Sequence, residues 1–210
     1  MRLAALNGDL VGSRSLGPGV PRLLTEVLEE ANRRFAPALA APFEAFKGDA
    51  FQALLAESAR FPRTVVWLEA QFRARGLSAR YGVGLGAVDG LGQAGRAPSP
   101  ALLTGEAFLR AEAALTQARA ERAPVQVRSD QAAWDASTNA ALQLLGFVWK
   151  RWPPAVWRRL ARYLETRDLK AVARSEGVSY QAVHKQFAIW GVREATRALE
   201  RLARGVEAMD

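Results

Sequence analysis

Cysteine is absent from these 210 residues, and there is a single histidine, His184. The first absence excludes disulfides and thiolate metal sites, and the second excludes any multi-histidine zinc centre. No apolar run reaches the roughly 18 residues that a membrane span needs. Met1-Arg2 passes through a short apolar run to Asn7-Gly8-Asp9, too short for a secretory leader, so the expected location is the cytoplasm, with no membrane partner. Internal repeats and low-complexity tracts are missing as well. What is present is ordinary for a folded chain: 50% of residues are hydrophobic and 24% are charged, enough for one large domain or two small ones.

Charge of either sign is abundant, but it is unevenly placed. The net charge is +8. Residues 1–149 hold 16 Lys/Arg against 14 Asp/Glu, net +2, and residues 150–210 hold 13 against 7, net +6. A near-neutral front part is thus followed by a basic tail, and a basic tail points to a polyanionic partner.

Patterning along the front part alternates between strands and helices. Residues 2–7 read as a short buried strand ending at Gly8-Asp9. Pro21 opens a helix with Leu23, Leu24, Val27, Leu28, Ala31 and Phe35 at helical spacing. Pro37 to Pro42 reads as a connection, and residues 43–47 and 50–56 as two strands of a hairpin with Gly48-Asp49 at its tip. Pro62 opens a helix that ends at Gly76; residues 77–88 alternate apolar and small residues as a strand; residues 89–101 form a loop. Thr104 is the expected N-cap of a helix over 105–121, followed by a strand at 124–129. The predicted order is β-α-β-β-α-β-α-β, an α+β fold that contains the ferredoxin-like βαββαβ core over residues 1–129. Residues 130–152 are a connecting helix that ends near Trp149 and Trp152, where aromatics can join the two parts. Residues 153–210 are an all-helical domain.

The chemistry-bearing feature of the front part is a pair of acids. Asp9 ends the first strand and Asp49 sits on the hairpin tip, and a βαββαβ fold sets those two places side by side. Carboxylates so close repel each other, so one stays protonated or a cation sits between them. Oxygen ligands of this kind suit Mg²⁺ or Mn²⁺ carrying a nucleotide. The turn after Asp9 supplies Gly12, Ser13 and Arg14, whose amides and guanidinium suit a phosphate. The competing reading is plain turn chemistry, because Asp after Gly is a common turn residue.

These motifs resemble known families. The stretch 9-DLVGSR-14 is similar to the Asp-Ile-Val-Gly turn of class III nucleotidyl cyclases, 48-GDAF-51 to their hairpin Gly-Asp, 82-GVGLGAVDG-90 to a later glycine-bearing strand, and 105-GEAFLRAEAAL-115 to their final catalytic helix. The paired motifs resemble the SatD family more closely, bacterial proteins that often end in a helix-turn-helix. The resemblance implies a cyclase-like fold and Asp9 and Asp49 as metal ligands. It also implies a departure: the positions of the cyclases' ribose-holding Asn, charge-stabilising Arg and purine-selecting Lys fall on Leu109, Ala113 and Ala45. Without those groups the stabilisation that drives cyclisation is missing.

The tail carries a second motif, 168-DLKAVARSEGVSYQAVHKQF-187. Leu169, Val172 and Ala173 mark the inner face of one helix, Gly177 allows a tight turn, Val178 plugs the core, Ser179 caps the next helix and Val183 faces inward. That spacing predicts a helix-turn-helix, similar to bacterial regulators and to the promoter-reading region of sigma factors. The second helix would enter the major groove of double-stranded DNA with Ser179, Tyr180, Gln181, His184 and Lys185 outward. Arg158, Arg159, Arg162, Lys170 and Arg174 would contact phosphates. The competing reading is a helical bundle with a solvated basic face. The last helix, 192–209, carries a stripe of Val192, Ala195, Leu199, Leu202 and Val206 that either packs inward or forms a homodimer seam.

The expectation is therefore a DNA-binding transcriptional regulator whose front domain senses a ligand or dimerises, with no catalytic residue assigned. The alternative is a metal-dependent nucleotidyl-transfer or nucleotide-hydrolysing enzyme localised by its tail.

Overall fold

The computed structural model describes residues 2–12, 17–46, 48–91 and 99–208. Ser13 and Arg14, both expected at a phosphate site, lie outside the described residues. The described chain is a mixed α+β fold with one five-stranded sheet and eight α-helices.

The centre of the sheet is β1 (Leu3–Leu10), and its burial follows from its position. Its neighbours on both sides, β3 (Ala50–Leu55) and β4 (Ala79–Gly86), run antiparallel to it. The remaining strands form the edges. Strand β2 (Leu39–Phe46) pairs antiparallel with β3, and β5 (Val125–Arg128) pairs parallel with β4, giving the order β2-β3-β1-β4-β5. A parallel pair needs a crossover, here supplied by α3 (Glu106–Glu121).

Helices cover both faces of the sheet. Helices α1 (Val20–Phe35) and α2 (Phe61–Ala74) bury Leu24, Val27, Leu28, Val65 and Leu68 with Leu6, Phe51 and Val83 in one cluster. Helix α3 lies over the other face, where Ala5, Leu54, Ala107 and Ala111 form a second, smaller cluster. Here the approach is very close: a Cβ at Gly82 would sit 2.2 Å from the Ala111 carbonyl oxygen, and one at Gly84 2.0 Å from that of Ala107. The glycines at 82 and 84 and the alanines of α3 are thus one packing device, with the strand lacking side chains where the helix backbone rests.

Three sequence expectations are corrected. The first strand runs through Leu10 instead of stopping at Asn7, which puts Asp9 inside the strand. Strand β2 begins at Leu39, inside the expected Pro37–Pro42 connection. Pro42 is tolerated there because β2 is an edge strand whose register shifts between Ala41 and Glu44. The N-cap of α3 is Gly105, at φ +114°, not Thr104. A side chain at 105 would meet the Ala87 carbonyl oxygen at 2.8 Å, so the close approach selects glycine.

The second half is helical: α4 (Ala132–Trp149), α5 (Pro154–Thr166), α6 (Leu169–Glu176), α7 (Tyr180–Ile189) and α8 (Val192–Glu207). Trp157 meets Trp149 and Trp152 at ring-centroid distances of 5.9 and 4.8 Å. The main core cluster continues through them from Leu6 in the sheet to Val206 in α8. Polar contacts cross the same seam: the Trp67 indole and the Gln71 amide each donate to Glu165 at 3.2 Å, and Arg34 donates to the Leu164 carbonyl at 2.6 Å. The α8 stripe is turned into the molecule, with Val192, Ala195, Leu199 and Val206 buried. Among the described residues no helix is long and apolar enough to cross a membrane.

Candidate functional site

Strand pairing brings the two acids' backbones together. Asp9 lies opposite Ala50 in the β1–β3 register, and the Leu10 amide donates to the Asp49 carbonyl at 3.1 Å. The end of β1 and the hairpin tip are therefore adjacent, one residue out of step. Gly12, at φ +71°, follows in the turn that leaves the strand. The Asp9 side chain is only 15% exposed, and Arg119 of α3 donates to its Oδ2 at 2.7 Å. Its Oδ1 is buried without a hydrogen-bond partner among the described residues.

That one carboxylate oxygen is the feature that fits a cation, and the Arg119 guanidinium is the feature that opposes it. Among the described residues no group of three or more His, Cys, Asp and Glu could hold a metal ion by itself. A Mg²⁺ or Mn²⁺ at Asp9 and Asp49 would thus depend on ligands from a nucleotide's phosphates, and it would displace or share Arg119. The positions where the sequence resemblance implies cyclase side chains, Leu109 and Ala113 on α3 and Ala45 on β2, are apolar. Leu109 is 74% exposed, Ala45 is exposed and Ala113 is half-buried. None of these apolar side chains can hydrogen-bond a ribose or stabilise a developing charge.

A polar row that the sequence reading passed over lies on this face of the sheet. The register aligns Glu44, Gln52, Asn7, Gly82 and Gln126 across all five strands. The Asn7 amide donates to Glu112 at 3.3 Å and the Gln126 amide to Glu121 at 2.7 Å, both on α3. Asn7 Oδ1 and Gln126 Oε1 are buried without partners among the described residues, a cost of about 1–3 kcal/mol each unless a ligand or water meets them. The available signal was a polar residue inside four of the five apolar runs, with Gly82 at that place in β4. Glu69 was missed too. It is buried in α2 and accepts from Arg73 at 2.7 Å, the Ala79 amide at 3.1 Å and the Tyr81 hydroxyl at 3.1 Å. Burial pushes its carboxyl above the ordinary range despite Arg73, and burial with the Glu69 charge pushes Tyr81 well up.

The tail motif has clear local causes. Asp168 caps α6 by accepting from the Lys170 amide at 2.7 Å. Gly177, at φ +64°, ends it, and the Gly177 and Val178 amides donate back to the Arg174 and Ala173 carbonyls. Ser179 then caps α7 by accepting from the Ala182 amide at 3.1 Å. Val172, Ala173, Val183 and Phe187 are buried, which fixes the opposite face outward. Ser179, Tyr180, Gln181 and Lys185 are exposed, and His184 is half-buried with its ring 5.8 Å from that of Tyr180. Lys170, Arg174, Arg158 and Arg162 are exposed as well. Arg159 differs: its side chain is 13% exposed, it donates to Gln186 at 2.6 Å, and it lies 3.5 Å from Glu176.

No protein-family model and no curated protein matches the chain. Among solved structures it is similar to a bacterial light-regulated adenylyl cyclase, at 17% identity and a TM-score of 0.43, over 60% of this chain and 43% of that one. It is also similar to the guanylyl cyclase Cya2, at 19% identity and a TM-score of 0.33, over 52% of this chain and 67% of that one. A third likeness is to the adenylyl cyclase CyaB from P. aeruginosa, at 20% identity and a TM-score of 0.33, over 52% of this chain and 68% of that one. The chain thus spans less than half the length of the light-regulated cyclase it matches.

Proposed function

We propose that this chain is a DNA-binding regulator in which α6, the turn at Gly177 and α7 form a helix-turn-helix. Its front domain is cyclase-like and non-cyclising. The observation that carries the reading is the outward face of α7: Ser179, Tyr180, Gln181 and Lys185 are exposed together beside the exposed cations of α5 and α6. In this reading α7 lies in the major groove. Gln181 presents an amide that bonds adenine bidentately, and Lys185 reaches guanine or a phosphate. Lys170, Arg174, Arg158 and Arg162 neutralise phosphates and make affinity fall with salt. Arg159 braces α7 through Gln186 instead of touching DNA. Support for the front half is the β2-β3-β1-β4 order with antiparallel neighbours, the arrangement of a ferredoxin-like core, together with the Asp9 and Gly48-Asp49 motifs. The loss of catalytic side chains at Leu109 and Ala113 favours ligand sensing or dimerisation over turnover.

Fluorescence anisotropy with pooled genomic fragments in a salt series tests this reading on the full chain. Gln181→Ala and Lys185→Ala are expected to weaken binding about tenfold each, at unchanged thermal stability. Equal affinity of both variants and the wild type would sink the reading.

The second reading, a metal-dependent nucleotidyl-transfer or nucleotide-hydrolysing enzyme, is favoured by one observation: the unpartnered Asp9 Oδ1 beside the hairpin tip. Asp9 and Asp49 would hold the ion, which would supply a charge clamp on the phosphates.

A further inference from the structure

Two cavities, of about 420 and 400 Å³, open where the front domain meets the tail, and they share Glu57, Arg60 and Arg63 as walls. Their linings come from the end of α1, the start of α2, the end of α5 and the last turns of α8. Five arginines, Arg34, Arg60, Arg63, Arg167 and Arg204, face three glutamates there. One of those glutamates, Glu57, is already bonded to Arg60 at 2.8 Å. Arg63 has no hydrogen bond or ion pair among the described residues. Burial, and then the like charges of Arg167, Arg34 and Arg60, push its guanidinium below the ordinary value. Arg34 is held by the Leu164 carbonyl and Arg60 by Glu57, so Arg63, set among like charges, is a cation that the fold leaves without a bonded partner among the described residues. An anion bound there would supply one.

From the cleft between α2 and the α5–α8 pair we infer a binding site for a compact small-molecule polyanion, of the diphosphate class, with Arg63 and Arg167 as its principal ligands. The concavity has the size of a small-ligand pocket. Guanidinium forks match phosphate oxygens two at a time. Helix α2 also starts at this cleft without a side-chain cap, adding its positive dipole end. The site is separate from Asp9 and from the outward face of α7, and the inference does not rest on DNA binding. A ligand here would touch both halves of the molecule at once.

The test uses pyrophosphate as the probe on the full chain, by calorimetry and by thermal shift. Wild type is expected to bind and to melt higher with pyrophosphate. Arg63→Gln and Arg167→Asn, the latter tolerating the φ of +54° at that position, are expected to weaken binding about tenfold each. Arg22→Gln, on the exposed start of α1 and outside both cavities, is expected to leave it unchanged. Without ligand, Arg63→Gln is expected to melt no lower than wild type, because it removes a repelled charge. Absence of binding, or equal weakening by Arg22→Gln, overturns the proposal. A duplex DNA titration separates the two sources of phosphate: unchanged DNA affinity in Arg63→Gln supports the small-molecule site, and a loss overturns it.

Discussion

Arg119 stands where a cation would otherwise neutralise Asp9, bonded at 2.7 Å and 41% exposed. Asp9 is mostly buried, but the half-exposed Arg119 end lets solvent screen the pair to about 1 kcal/mol, so it is a removable guard. Arg119→Ala is therefore expected to raise Mn²⁺ affinity severalfold, near 1 kcal/mol, by calorimetry at neutral pH. Asp9→Asn in the same background should abolish the gain, and Mn²⁺ binding that ignores both changes would remove Asp9 from any metal role. Glu69 gives a pH prediction. Its carboxyl titrates above the 4.5 of the free group because burial disfavours the charge. Between 4.5 and that raised value the folded protein holds more protons than the unfolded chain, so stability falls as pH rises through that window. Glu69→Gln, which cannot titrate, is expected to gain on the wild type over the same window, read from urea melts at stepped pH. A constant difference would mean Glu69 does not titrate there.

At the scale of elements, the contact between α3 and the sheet is set by missing side chains. Gly84→Ala would force its Cβ against the Ala107 carbonyl oxygen, 2.0 Å away, and neither backbone can give way cheaply. An overpacking cost of about 3 kcal/mol is expected in a denaturant titration. The α7 cap is more ordinary: Ser179→Ala should cost about 1 kcal/mol, with Ser179→Gly costing less. The tail elements were legible because their signals are local: the Asp168 cap, the Gly177 turn and the Ser179 cap each act within a few residues. The start of β2 was not, since Pro42 reads as a breaker until the strand is known to be an edge. Thr104 failed as a cap for a similar reason, because the packing of residue 105 against Ala87 decides where α3 begins.

For the whole molecule, the joining of the halves governs behaviour. Trp67, Trp149 and Trp157 are buried in one cluster that runs through sheet, α2, α5 and α8. Trp157→Ala is expected to cost about 3–5 kcal/mol. A chain with this core should unfold in one transition, seen alike by sheet and helix signals in circular dichroism. Two separated transitions would show that the halves are energetically independent. The shared core also makes the seam cavities a natural place for one half to influence the other.

The sequence by itself determined the basic tail, the α6–α7 spacing, the hairpin with Asp49 at its tip, and the apolar character of Leu109 and Ala113. Each depends on residue identity or on intervals of a few residues. Tertiary structure alone decided that Arg119 lies on Asp9 across 110 positions. It also decided that Asn7 and Gln126 share one polar row, that Arg159 turns inward, and that five arginines meet at a seam. Those facts depend on which strands become neighbours and which helix faces pack, and no local pattern encodes contacts between residues so far apart along the chain.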